Sequence, residues 1–278
     1  MRCAAFAPAV LMFLALVAAC APRPIGLPSG PGAPFPEYRA AFEAATRECG
    51  GVRTWTAEMG IAGRAGRTKI RGRAFAGLAR PGALRLEGLA PFGQPAFILV
   101  VRQGRATLLL PRDRRVLHHD SAAAIVEALT GVAIGPDELR HVVTGCVSDS
   151  GPAGGRTFGG RLHAVDLEDA STVFLRQAAG QWRVEAGLRA GLAIEYGQFA
   201  GLRPGRVRLR AEPGQGSSQG ATADLTLTIS QVEINVTLDD AVFTVEVPSD
   251  AAPLTLEELR DAGPLGERRE MQGIRHKA

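Results

Sequence analysis

The sequence predicts a mainly β protein with some helix: one antiparallel sheet of about eleven strands, curved on itself, with a short helical lid and an N-terminal helix. Three observations carry this. Between Val52 and Val247, run after run alternates apolar and polar side chains, the two-residue period of a strand with one greasy face. That period gives way once, between Ser121 and Thr144, to helical spacing. An open sheet of this size must curl or close, and helices over its mouth are the simplest cover.

The elements follow in order. In Glu37–Glu48, Tyr38, Phe42 and Ala45 share a helical face, and Gly50-Gly51 ends the helix. Val52–Ala62 and Lys69–Ala79 form a first hairpin. In Ala83–Val101, Leu84, Leu86 and Leu89 face one way and Arg85 and Glu87 the other. Ala90-Pro91-Phe92-Gly93 then turns the chain, because proline presets φ and glycine tolerates unusual backbone angles. Phe97–Val101 is apolar on both faces, so something covers each side. Ala106–Leu110 and Arg115–His118 extend the meander.

Ser121–Thr130 places Ile125, Val126 and Leu129 on one side of a helix, with Asp120 or Ser121 as N-cap. Pro136–Thr144 is a second helix, with Leu139, Val142 and Val143 apolar and Asp137 and Glu138 in its favourable first turn. Gly151–Gly160 reads as a glycine-rich loop. Strands resume at Leu162–Leu167, Thr172–Gln177, Gln181–Leu188, Leu192–Gln198 and Arg206–Ala211. After a polar loop come Leu225–Ile229 and Val232–Leu238, whose change of face predicts a bulge or corner. Val242–Val247 closes the set, and 249–278 reads as a polar tail with one helical turn at Leu254–Leu259.

The composition excludes little. With 46% apolar and 22% charged residues the 278-residue chain can bury a core. The net charge of +4 is modest, and its arginines read as scattered rather than gathered into a stripe, so no nucleic-acid partner is expected.

The N-terminus sets the address. Arg2 is a short positive region, and Ala9–Ala18 is an apolar core too short to span a bilayer comfortably. Leu16-Val17-Ala18-Ala19-Cys20 resembles a bacterial lipobox, in which residues 1–19 are the signal peptide and Cys20 is acylated and becomes the first mature residue. Fatty chains there supply about 0.8 kcal/mol per buried methylene. Residue 21 is Ala rather than the Asp that retains enterobacterial lipoproteins at the inner membrane, so the resemblance implies an outer-membrane anchor facing the periplasm. The Pro- and Gly-rich segment 21–36 reads as a tether; at about 3.1 Å per residue it reaches roughly 50 Å.

Cys49 and Cys146 remain as one pair in an oxidising compartment. A bond between them would pin the N-terminal helix to the lid; the alternative is two unpaired thiols. Other chemistry is weakly signalled. Gly216-Ser217-Ser218-Gln219-Gly220 has the spelling of a nucleophile elbow without its strand–turn–helix setting. His118-His119-Asp120 lacks further ligands at metal spacing, and adjacent strand residues point opposite ways. No catalytic residue, metal site or cofactor is predicted, and the chain does not read as an enzyme.

Leu86-Glu87-Gly88-Leu89-Ala90-Pro91-Phe92-Gly93 is similar to the strand and Pro-Leu-Gly turn of LolB, the outer-membrane lipoprotein receptor family of the Lol pathway. Ala122–Gly145, with its helix, Leu-Thr-Gly, Ile-x-Pro, helix, Gly rhythm, resembles that family's two-helix segment. Order, spacing and lipobox agree over roughly 38–200. The resemblance implies an unclosed antiparallel barrel over 37–248, acting as a monomer. Its apolar cavity accepts lipoprotein acyl chains from a LolA-like periplasmic carrier and passes them to the inner leaflet of the outer membrane. Lining candidates are Leu84, Leu86, Phe97, Leu99, Val101, Leu109, Trp182, Val184, Ile194, Ile229 and Ile234, with Ile125, Leu129, Leu139 and Val142 in the lid. The family's membrane-inserting leucine corresponds to Phe92, between Pro91 and Gly93. Residue pattern alone also describes a dry, filled core, a structural envelope lipoprotein, or a carrier of another envelope lipid.

Overall fold

The computed structural model describes residues 26–28, 30–89, 95–211 and 222–262. Cys20, the turn Pro91-Phe92-Gly93, Ser218 and the end of the chain lie outside them. The first meander comprises β2 (Thr54–Ala65), β3 (Thr68–Ala79), β4 (Ala83–Leu89), β5 (Phe97–Arg102), β6 (Arg105–Leu110) and β7 (Arg115–His119). The second comprises β8 (Pro152–Phe158), β9 (Leu162–Leu167), β10 (Thr172–Ala178), β11 (Gln181–Arg189), β12 (Leu192–Ala200), β13 (Arg203–Ala211) and β14 (Ala223–Ile234). Antiparallel pairing of β14 with β2, from Ala223 opposite Ala65 to Ile234 opposite Trp55, joins them into one sheet. Two-residue strands, β1 (Ala33–Pro34) on β8 and β15 (Ala252–Pro253) on β7, form the edges. The order is β1-β8-β9-β10-β11-β12-β13-β14-β2-β3-β4-β5-β6-β7-β15, and the edges do not pair with each other, so the barrel is unclosed.

Helices α1 (Tyr38–Gly50), α2 (Ala122–Thr130) and α3 (Pro136–Thr144) lie against one face of the sheet, here the inner face. Helix α1 covers β8, β10 and β11, α3 crosses β13, β3 and β4, and α2 lies on β6 and against α4 (Leu256–Ala262). Ser121 Oγ accepts from the Ala124 amide at 3.2 Å and starts α2, as its sequence position predicts. The two mid-chain helices keep their predicted limits to within a residue.

Four readings change. Residues 152–158 are strand β8 rather than loop: Gly155 lies so close beneath Tyr38 that a Cβ would come within 2.3 Å of the tyrosine Cβ, and the bare backbone seats α1. The expected strand at 242–247 is instead a 3-10 turn, Asp240–Phe243, followed by irregular chain. Asp239 caps it, Phe243 is buried, and the turn lies on the outer side of β4 and β5, where Arg85 donates to the Val242 and Thr244 carbonyls at 3.1 Å. The segment 21–36 is not wholly a free tether, because Leu27 packs on Leu162, Ala164, Phe174 and Ala186, Phe35 is buried, and β1 pairs with β8. Nor is the stretch after 248 all tail, since β15 edges the sheet while Leu254 and Leu259 are buried in the core.

Candidate functional site

Cross-strand register decides which side chains reach the inner face. Leu84 faces Val101, Leu86 faces Leu99, and Gly88 faces Phe97, so Leu89, expected on the side of Leu84 and Leu86, instead points outward, opposite Arg73. Next along, Leu99 faces Leu108 and Val101 faces Ala106, so Leu108 points inward and Leu109, opposite Ile98 and Val116, points outward. The expectation for Leu109 is therefore corrected: Leu108 takes its place. The error has a simple origin, since Leu108-Leu109-Leu110 does not alternate and only the neighbouring strand fixes its phase.

On the far half, Val184 opposes Leu175 and Ile194 opposes Leu209, all in the same inner cluster. Leu84, Phe97, Leu99, Val101, Val184 and Ile194 are buried in continuous contact with Ile125, Leu129, Leu139 and Val142, with Leu86 packed against them. These side chains form one contiguous buried cluster between sheet and helices. Trp182 packs against the rim of the same cluster, beside Phe35 and His163 at ring separations of 5.7 and 5.0 Å. Burial holds the His163 pKa below its ordinary value.

The inner face is not filled throughout. A pocket of about 330 Å³ lies where the ends of α1 and α3 meet β2, β13 and β14. Its walls are Val52 and Trp55, Val143 and Thr144, Pro204, and Ile229, Val232 and Ile234, with Glu48 and Arg203 also on the lining. Two of the sequence-derived lining residues, Ile229 and Ile234, line this pocket. They share a face only because a register shift between Ser230 and Glu233 makes room, with Gln231 at φ +54°. This is the change of face that the alternation predicts, and without it Ile234 would point outward.

The void is held by its neighbours. Cys49, on the lining, is bonded to Cys146, tying the end of α1 to the end of α3 across 97 positions with a Cα separation of 5.6 Å. Helix α3 stops at Gly145, φ +91°, where a Cβ would sit 3.3 Å from Pro204 Cδ. The close seat of Gly145 on Pro204 and the bond to α1 fix α3 over the strands. The residues that sequence reading missed, Trp55, Val143 and Pro204, sit at element ends, where periodicity says least.

The other motifs are accounted for locally. His118 lies on the outer face beside Thr107, 3.1 Å away, and His119 Nδ1 accepts from the Ser121 amide at 2.8 Å. Among the described residues no group of three His, Cys, Asp or Glu side chains could hold a metal.

No protein-family model matches the chain. No curated protein matches it either. Among solved structures it is similar to a LolA superfamily protein of Nitrosomonas europaea, with 12% identity and a TM-score of 0.46 over 74% of this chain and 94% of that one. It is likewise similar to a DUF1329 family protein of Desulfovibrio piger, at 11% identity and TM-score 0.47 over 74% and 96% of the two chains. A putative outer-membrane lipoprotein-sorting protein domain of Vibrio parahaemolyticus gives 12%, 0.45, 73% and 95% in the same order. At these values the likeness assigns no residue a role.

Proposed function

We propose that the chain is a lipid-anchored receptor and chaperone that takes acyl chains of lipoproteins into its apolar interior and helps insert them into the outer membrane. One observation carries the reading: a mostly apolar pocket lies on the inner face beneath helices that could shelter a chain from water. Each methylene buried there gains about 0.8 kcal/mol, so hydrocarbon is the natural ligand class. At about 330 Å³ the pocket is near the small end of the 300–1,000 Å³ range of ligand sites. It is therefore the closed form, and a long chain needs a helix to lift. Helix α3, over the pocket, is bonded to α1, whereas α2 is off the pocket's lining and is held by packing on β6 and α4, so the further room for a long chain lies beneath α2.

The LolB-like motifs support the rest of the proposal: a LolA-like donor, Cys20 as the anchor on the periplasmic side of the outer membrane, and Phe92 as the tip that enters lipid. The test has two parts. Lipid extracted from the purified protein and examined by mass spectrometry should contain acyl chains or acylated peptide; a different envelope lipid would make it another kind of carrier. A Phe92→Glu variant should still bind a fluorescent fatty acid but fail to pass lipoprotein to liposomes, and normal transfer would remove the tip from the mechanism.

A second reading, a structural envelope lipoprotein with a filled core, is favoured by the unbroken packing of Leu99, Ile125 and Ile194, each without solvent exposure. Failure of any fatty acid to bind would select it.

A further inference from the structure

The hairpin of β2 and β3 carries a run of cations on its outer face. Lys69 faces Arg64 across the hairpin, Arg71 faces Ala62 and Arg73 faces Gly60, so Arg64, Lys69, Arg71 and Arg73 share one side, with Arg67 in the turn. All five are exposed. Only Arg73 has a carboxylate partner among the described residues, Glu58. The contrast with neighbouring β13 is sharp, because there Arg208 is bound to Asp224 at 2.7 Å and Arg210 to Glu195. Asp224 lies directly opposite Arg64, yet its carboxylate is committed to Arg208, whose hydrogen bonds hold the Asp224 pKa below its ordinary value.

This charge does nothing for the fold. Like charges directly opposite on a sheet destabilise it, and Arg64 opposite Lys69 is such a pair. Lysine and arginine often guard an edge strand against pairing with another chain, but β2 and β3 sit inside the sheet, between β14 and β4. A shallow depression of about 460 Å³ lies among these side chains, lined by Arg64, Lys69 and Arg71 with Ala62, Gly63 and Ile70.

Apolar exposure falls on the same face. Three large apolar side chains are exposed among the described residues, and two of them, Phe75 and Leu89, are here. Leu89 is directly opposite Arg73, and Phe75 is two residues along the same strand. An aromatic ring and a leucine at one end of a row of exposed cations match a surface that is anionic at the headgroups and apolar just beneath.

We propose that the outer face of the β2–β3 hairpin, with Phe75 and Leu89, docks the protein onto a bilayer containing anionic lipid. The cations meet the headgroup phosphates, and the two apolar side chains settle at the level of the glycerol backbone. This contact stands apart from the acyl pocket, on the opposite side of the sheet, and its test uses no acyl ligand, so the two proposals fail separately.

The experiment uses a chain starting at Ala21, which contains every described element and carries no acyl anchor. It should float with vesicles of phosphatidylcholine and phosphatidylglycerol, stay behind with phosphatidylcholine alone, and be released by high salt. Each cation near an anionic surface contributes about fivefold in partition, so Lys69→Gln with Arg71→Gln should lower binding by roughly twenty-five-fold. Phe75→Ser should lower it further, while Arg114→Gln, which removes an exposed cation already paired with Asp250 at the β6–β7 turn, should change it by less than about threefold. Every substitution is at the surface, and an unchanged circular dichroism spectrum establishes that each variant is folded. Equal binding to neutral vesicles, or full binding by the folded Lys69/Arg71 variant, overturns the proposal. So does absence of vesicle binding, including the case in which the same face binds an acidic protein instead.

Discussion

Arg140 donates from Nη2 to Nε2 of His141 at 2.8 Å, both side chains buried on α3. A guanidinium has no acceptor, so Nε2 must carry its lone pair and the imidazole is neutral with its proton on Nδ1. Burial first, then Arg140, pushes the His141 pKa down to about 4; Arg189 adds to this, and Asp149 and Asp137 oppose it.

Stability should therefore depend on pH through this residue. An unfolded histidine titrates near 6.5, so between about 6.5 and 4 the unfolded chain binds the proton more tightly. The contribution is complete above pH 6.5, declines as pH falls, and levels off below about 4. After allowance for solvent screening it is on the order of 2 kcal/mol. Thermal midpoints at pH 7 and 4.5, for wild type and His141→Gln, measure it: the acid-induced drop should be smaller in the variant. An equal drop would place the acid sensitivity on other groups.

The bond between Cys49 and Cys146 gives a second prediction. A link across 97 positions removes about 4–5 kcal/mol of chain entropy from the unfolded state on the loop-closure model. The Cys49→Ala, Cys146→Ala pair should lose much of that in urea unfolding. Amide exchange should accelerate most at the ends of α1 and α3 and least in β5, which the bond does not touch. Uniform acceleration would mean that the bond acts on the unfolded chain alone.

Glycine 88 supplies a third. It faces Phe97 across β4 and β5, and a Cβ there would lie 2.4 Å from Phe97 Cε1. The ring lies over bare backbone, so Gly88→Ala forces the phenylalanine aside in a buried cluster. The expected cost is about 1–3 kcal/mol, read as a lower urea midpoint. Pairing it with Phe97→Leu should recover part of the loss, and no recovery would show that the backbone, not the ring, is strained.

The sequence was legible where one side chain at a time decides the outcome. Alternation found most of the long strands, spacing found α2 and α3, and the change of face after Ile229 located the bulge that brings Ile229 and Ile234 together. It failed where the decision belongs to a partner. Strand β8 has little side-chain pattern because Gly154 and Gly155 occupy its middle and α1 packs on the backbone. Leu109 and Leu108 are equivalent until β5 sets the register. The cations at 69, 71 and 73 were visible at a two-residue period, but their arginine-rich setting disguised them as scatter. That Lys69 and Arg71 have no carboxylate partner among the described residues is a fact about the strands beside the hairpin, where the carboxylates are committed to Arg208 and Arg210.

The pocket itself can be filled to order. Ile229 lines it from β14, and a tryptophan there would extend into the void rather than into packed neighbours. Small-to-large changes in a close-packed core cost about 1–3 kcal/mol, but empty volume should bring this substitution well below that range. Ile194→Trp, at a fully buried site off the lining of this pocket, is the contrasting case and should be strongly destabilising. If acyl chains enter through this pocket, Ile229→Trp should keep the wild-type urea midpoint and weaken binding of a fluorescent fatty acid tenfold or more, since about 1.4 kcal/mol of lost contact is tenfold. A stable Ile229→Trp variant that binds fatty acid normally would move the site elsewhere on the inner face, under α2. The same measurement on Leu259→Ala separates the two places: loosening α4 from α2 should ease entry beneath α2 and leave the pocket at Ile229 unchanged.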